Sequence, residues 1–121
     1  MLSARDKKPV IIGAIPYQGI DLVQCISAPK FLTSQNSLTD RCKGYSRVEA
    51  LKRAQDVNDV LRSHSKKHGA IFIDPFEVFC SEESEACLKI KDGKILYRDR
   101  NHLSEAGAIL LAQRVFDELG W

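Results

Sequence analysis

The segment Gly93-Lys94-Ile95-Leu96-Tyr97-Arg98-Asp99-Arg100-Asn101-His102-Leu103-Ser104-Glu105-Ala106-Gly107 decides how the rest of the chain is read. Asp92-Gly93 at its head is a tight-turn dipeptide. Residues 88–90 and 95–97 on either side are expected to pair as a short hairpin. Residues 98–102 are polar throughout and read as a turn. A helix then starts at Ser104 or Glu105, with the Ser104 hydroxyl placed to cap the free N–H groups of its first turn. Its apolar positions, Ala106, Ile109, Leu110, Val115, Phe116 and Leu119, are expected to face the core.

Upstream, residues 10–15 form a short apolar run rich in β-branched side chains, ended by Pro16. The run predicts a strand buried on both faces, as in a parallel sheet. Residues 16–45 hold no sustained period and read as a long loop, with a short helical turn near residues 20–25. Ser46 and Glu49 have capping-box spacing. Val48, Leu51, Ala54, Val57 and Leu61 then predict one apolar stripe of a helix. Gly69 ends it, after a cationic last turn. Residues 70–73 predict a second buried strand, and Asp74-Pro75 a turn. Strand, helix, strand, helix in this order implies parallel βαβ connections and an α/β fold.

The chain has 121 residues, which favours one domain. Residues 1–8 are read as a flexible leader and 9–121 as the domain. Eighteen basic residues against 16 acidic ones give a net charge of +2, so there is no electrostatic footprint for nucleic acid. No apolar stretch has the length of a membrane span, about 20 residues. No signal peptide is recognisable at the start.

The cysteines fall as Cys25/Cys42 and Cys80/Cys87, and neither pair has zinc-site spacing. Two readings stand: four buried free thiols, common in the cytosol, or two disulfides, which need an oxidising compartment. The second, without a signal sequence, implies a piece of a longer reading frame.

Asp99 and His102 are the candidates for chemistry. A serine hydrolase needs a histidine base whose other ring nitrogen is held by a carboxylate, and an Asp-x-x-His turn supplies both from one loop. The pair is expected in an exposed cleft, with a carboxylate oxygen near Nδ1 of His102. Ser104, two residues on, is read as a helix cap and not as a nucleophile. His64 and His68 have metal-compatible spacing, but the helix dipole explains them. Asp74 is read as a turn-former, and Glu82, Glu83 and Glu85 as a solvated loop face.

The block 93–107 resembles the last conserved block of the SGNH hydrolase superfamily. More narrowly, it is similar to the SGNH domain fused behind the membrane acyltransferase family three domain of bacterial surface-polysaccharide O-acyltransferases. Pro16, Cys25-Ile26, the helix from Ser46, Ile73-Asp74-Pro75 and Cys80…Cys87 extend the resemblance over residues 9–119. It implies a flavodoxin-like three-layer α/β/α domain with a parallel sheet, present in part. It implies His102 as general base and Asp99 as its orienting acid. It also implies O-acyl, and specifically acetyl, transfer to a cell-surface polysaccharide. The acyl donor would be supplied by another domain, with no cofactor in this one. The setting would be periplasmic, in a membrane-anchored bacterial protein. Disulfides Cys80–Cys87 and Cys25–Cys42 are expected there. They would close loops of about 8 and 18 residues and contribute roughly 2.5 and 3 kcal/mol by loss of chain entropy.

The departures are specific. No Gly-Asp-Ser and no Gly-x-Asn-Asp block occurs. The chain is therefore expected to be the C-terminal portion, inactive alone, with an upstream SGNH segment as its partner and a glycan as acceptor. The alternative reading is a non-catalytic glycan-binding or scaffolding domain of an exported or membrane protein.

Overall fold

A computed structural model describes residues 8–27, 42–80 and 83–120. Residues 1–7 of the leader, residues 28–41 of the long loop and Glu82 of the acidic loop lie outside the described residues.

Strands β1 (Val10–Ile12) and β2 (Ile71–Ile73) pair in parallel, with Val10 opposite Ile71 and Ile12 opposite Ile73. Short helix α1 (Leu22–Ser27) follows β1, and the long helix α2 (Arg47–His68) makes the crossover to β2. The parallel βαβ unit read from the element order is therefore present. β1 departs from expectation: it is shorter than the apolar run, and Ile12 is 45% exposed. Ile71 N–H donates to Pro9 C=O and Gly13 N–H to Ile73 C=O, both at 2.9 Å. Strand alternation then turns the N–H and C=O groups of Val10 and Ile12 to the other edge. Among the described residues no strand pairs there.

α2 is capped as its sequence dictates. Ser46 Oγ accepts from Glu49 N–H at 3.2 Å, and Gly69 closes the helix in the left-handed conformation. Its buried face, however, is rotated from the expected stripe. Ala50, Ala54, Asn58 and Ser65 are buried, whereas Val48 and Val57 are 69% and 54% exposed. The reason is a polar contact. Asn58 Oδ1 accepts the Ala14 N–H at 2.8 Å, and the small side chains of Ala50 and Ala54 let the helix lie close. A buried main-chain N–H needs a partner, and a scale of hydrophobicity alone does not register this need.

The turn expected after β2 is a short helix, α3 (Pro75–Phe79). Asp74 caps it, taking Phe76 N–H at 2.9 Å on Oδ1 and Arg62 at 2.8 Å on Oδ2. The cysteine loop leads to the hairpin β3 (Ile90–Lys91) and β4 (Lys94–Ile95), which turns through positive φ at Asp92 and Gly93. Both disulfides are formed, Cys25–Cys42 and Cys80–Cys87.

Helix α4 (Glu105–Leu119) closes the chain. Gly107 is its buried residue, because a Cβ there would collide with Leu96 C=O. Ile109 and Phe116, expected in the core, are 52% and 47% exposed. The core gathers Ala50, Ala54, Phe76, Phe79, Leu96, Tyr97 and the Cys80–Cys87 pair. Tyr97 is fully buried, tilted against Phe79 at 6.1 Å, and its hydroxyl donates to Pro16 C=O at 2.5 Å. Burial pushes that phenol up to about 12, and contact with the Gln18 side chain opposes the rise. Truncating Phe79 to alanine costs about 3–5 kcal/mol.

Candidate active site

The buried Tyr97 ends one side of a turn whose polar residues must leave the core. Tyr97 and Leu103 bridge across its base, and Arg98 N–H donates to His102 C=O at 3.0 Å. Within the turn, Asp99 folds back on its own backbone. Its Oδ1 accepts the N–H groups of Asn101 at 2.9 Å and His102 at 2.7 Å. The same carboxylate meets the imidazole, with Nδ1 of His102 at 3.0 Å from Oδ1 and 2.8 Å from Oδ2. The Asn101 N–H is the largest influence holding the Asp99 carboxyl below its ordinary range. Partial burial opposes it, and the His102 ring and N–H add to the lowering.

The two side chains are 39% and 59% exposed for Asp99 and His102. A neighbouring groove of about 530 Å³ is lined by Lys94, Ile95, Ser104, Glu105 and Ile109 among others, and by neither member of the pair. With Nδ1 engaged, Nε2 is the nitrogen left to take a proton, and no hydrogen bond to it is formed among the described residues. Ser104 is occupied: its Oγ donates to Ile95 C=O at 2.6 Å and accepts Gly107 N–H at 3.2 Å. A hydroxyl spent on a strand carbonyl and a helix cap is a structural group.

His64 and His68 stack with ring centroids 6.0 Å apart on the exposed end of α2, and no group of three metal-ligating side chains forms among the described residues. Asp74 serves α3 and Arg62, away from the turn.

One residue near the site has no sequence signal. Gln18 is 1% exposed, and its backbone N–H donates to Arg100 C=O at 2.9 Å. A lone glutamine in an aperiodic loop looks solvated, and only the distant partners explain its burial.

The fold agrees with the comparisons. Residues 1–117 match the family model of the SGNH domain fused to AT3 domains, and the chain belongs to that family. Among solved structures it is similar to the periplasmic domain of the lipopolysaccharide acetyltransferase of Salmonella ser. Paratyphi A, at 20% identity and a TM-score of 0.66. The match covers 98% of this chain and 44% of that one, so the chain spans under half of its solved relative. No curated protein matches it.

Proposed function

We propose that the chain is the C-terminal portion of an SGNH-type O-acyltransferase or esterase domain and supplies its Asp99/His102 pair. The observation that carries this reading is the 2.8 Å contact of Asp99 with Nδ1 of His102, with no hydrogen bond to Nε2 among the described residues. A carboxylate on Nδ1 fixes the tautomer with the lone pair on Nε2 and stabilises the imidazolium that forms. His102 Nε2 takes the proton of a serine hydroxyl as that oxygen attacks the acyl carbonyl. The same imidazolium returns the proton to the leaving group. In the second half-reaction Nε2 deprotonates a sugar hydroxyl as it attacks the acyl-serine carbonyl, and returns that proton to the serine oxygen as the acyl–serine bond breaks.

The serine and the oxyanion donors belong to a segment preceding residue 9, and the edge of β1 that no strand pairs among the described residues is where a strand from it would complete the parallel sheet of a flavodoxin-like three-layer domain. Acetyl is the acyl group, a hydroxyl of a cell-surface polysaccharide the acceptor, and a membrane acyltransferase domain the source of the donor. The setting is extracytoplasmic, which two disulfides favour.

The test uses a protein carrying the upstream segment with its Gly-Asp-Ser. An acetyl adduct on intact protein should form with an activated acetyl donor and disappear on His102→Ala, with thermal stability near wild type. Adduct formation that survives His102→Ala sinks the proposal. Glycan binding without any adduct would instead favour the binding or scaffolding role.

A further inference from the structure

The turn that carries Asp99 and His102 is fastened to the body in two places. Its base is the Tyr97–Leu103 bridge. Its tip is held by a single hydrogen bond among the described residues, from Gln18 N–H to Arg100 C=O at 2.9 Å. The bonds made by Asp99 lie inside the turn, but one of its donors, the Asn101 N–H, belongs to the same peptide unit as the Arg100 C=O that Gln18 holds. A turn held only at its base can swing about it, so the bond at the tip determines where the imidazole points.

Gln18 is itself fixed from several directions. Its C=O accepts Tyr45 N–H at 2.7 Å, and its Nε2 donates to Leu88 C=O at 3.3 Å. Its side chain also meets the buried Tyr97 hydroxyl. Gly44 closes the arrangement: φ there is +65°, and a Cβ would collide with Gln18 C=O. Burying a glutamine amide is unfavourable unless its groups are bonded. Here the side-chain amide reaches the end of the Cys80–Cys87 loop and the core tyrosine, while the backbone of the same residue holds Tyr45 and the tip of the turn.

We propose that Gln18 is a positioning residue for the Asp99–His102 pair, fixing through its backbone N–H the direction in which His102 Nε2 faces. Its importance for catalysis rests on the proposed function above, while the link between Gln18 and the turn can be tested in this chain alone.

The experiment is the NMR titration of the Asp99 carboxyl carbon in the disulfide-bonded chain. Gln18→Met keeps the length of the side chain and removes its amide. Without the amide, residue 18 loses its hold on Leu88 C=O, its backbone N–H no longer keeps the peptide between Arg100 and Asn101 in place, and the Asn101 N–H holds the carboxylate less well. The Asp99 midpoint should then rise toward the ordinary carboxylate value. The control is Asn58→Ala, which removes another buried amide, one that bonds Ala14 and not the turn. It should lower stability and leave the Asp99 midpoint in place.

An unchanged midpoint in folded Gln18→Met overturns the proposal, as does an equal shift in Asn58→Ala. If Gln18→Met does not fold, hydrogen exchange of the wild-type chain decides. The Gln18, Asn101 and His102 amides should open together, and exchange of the turn amides independent of Gln18 overturns the link. Neither readout uses acyl transfer. A longer protein that stays active after His102→Ala would remove the catalytic reading and leave the link between Gln18 and the turn standing.

Discussion

The Asp99 carboxylate holds His102 twice, by its backbone N–H at 2.7 Å and by its ring Nδ1 at 2.8 Å. One side chain thus fixes both the root and the tip of the imidazole. The i, i+3 spacing makes this possible, because a turn of that length returns the backbone of His102 to the Asp99 side chain. The partners of the pair all lie within 98–102, and Gln18 holds the peptide that supplies one of the donors.

Preformed is not active. The chain alone should hydrolyse p-nitrophenyl acetate no faster than the same concentration of free imidazole. A stoichiometric acyl adduct on the intact chain would show that one of its own serines is a nucleophile and would contradict the half-site reading.

Asp99 also predicts a pH dependence. Its folded pKa is depressed, first by the Asn101 N–H and then by His102. Its contribution to stability is therefore fully present above the ordinary carboxylate value and is lost as pH falls through the folded one. Asp99→Asn should be less stable than wild type at neutral pH, and the two should converge in acid. Thermal unfolding from about pH 6 downward checks this, starting above the ordinary Asp range near 4. A gap that stays constant with pH would mean the charge contributes nothing.

Ser104→Ala removes a helix cap and the donor to Ile95 C=O. It should cost about 0.5–2 kcal/mol of stability and leave acylation of the longer protein intact per folded molecule. Combined calorimetry and adduct formation separate the two effects. Loss of the adduct at unchanged stability would make Ser104 a participant in the chemistry.

The Cys80–Cys87 bond lies in the core beside Phe79. The double change Cys80→Ser, Cys87→Ser should lower stability by up to roughly 2.5 kcal/mol through chain entropy, with a further loss because two hydroxyls replace buried sulfur. Denaturant unfolding measures this. Unreduced protein made in an oxidising compartment should show no titratable thiol, and four thiols would contradict the structure.

Local signals in the sequence carried much of this architecture. The caps at Ser46, Ser104 and Gly69, the Asp92-Gly93 hairpin and the Asp99–His102 contact all involve partners within a few residues, so residue type and spacing suffice to read them. Long-range partners left no such trace. Asn58 is buried because a main-chain N–H 44 residues away needs it, and that turned the buried face of α2 away from Val48 and Val57. Gln18 is buried for the same kind of reason. The exposure of Ile12 and Ile109 was equally illegible, since periodicity identifies an apolar side chain and not the surface that covers it. The Pro75–Phe79 helix escaped notice because Asp-Pro also starts turns, and five residues are too few to show a period.

The Tyr97–Pro16 bond spans 81 residues and the Gln18–Leu88 bond 70, whereas the pair they steady is made within three. Contacts between distant residues bear the largest loop-closure entropy and form late. Folding should therefore deliver the imidazole to its carboxylate early and orient the turn in the closing step. In stopped-flow refolding, Tyr97→Phe should then accelerate unfolding and leave the folding rate nearly unchanged. A slowed folding rate would place this anchorage in the nucleus. The chemistry of the turn is written locally, but its aim is among the last things the chain acquires.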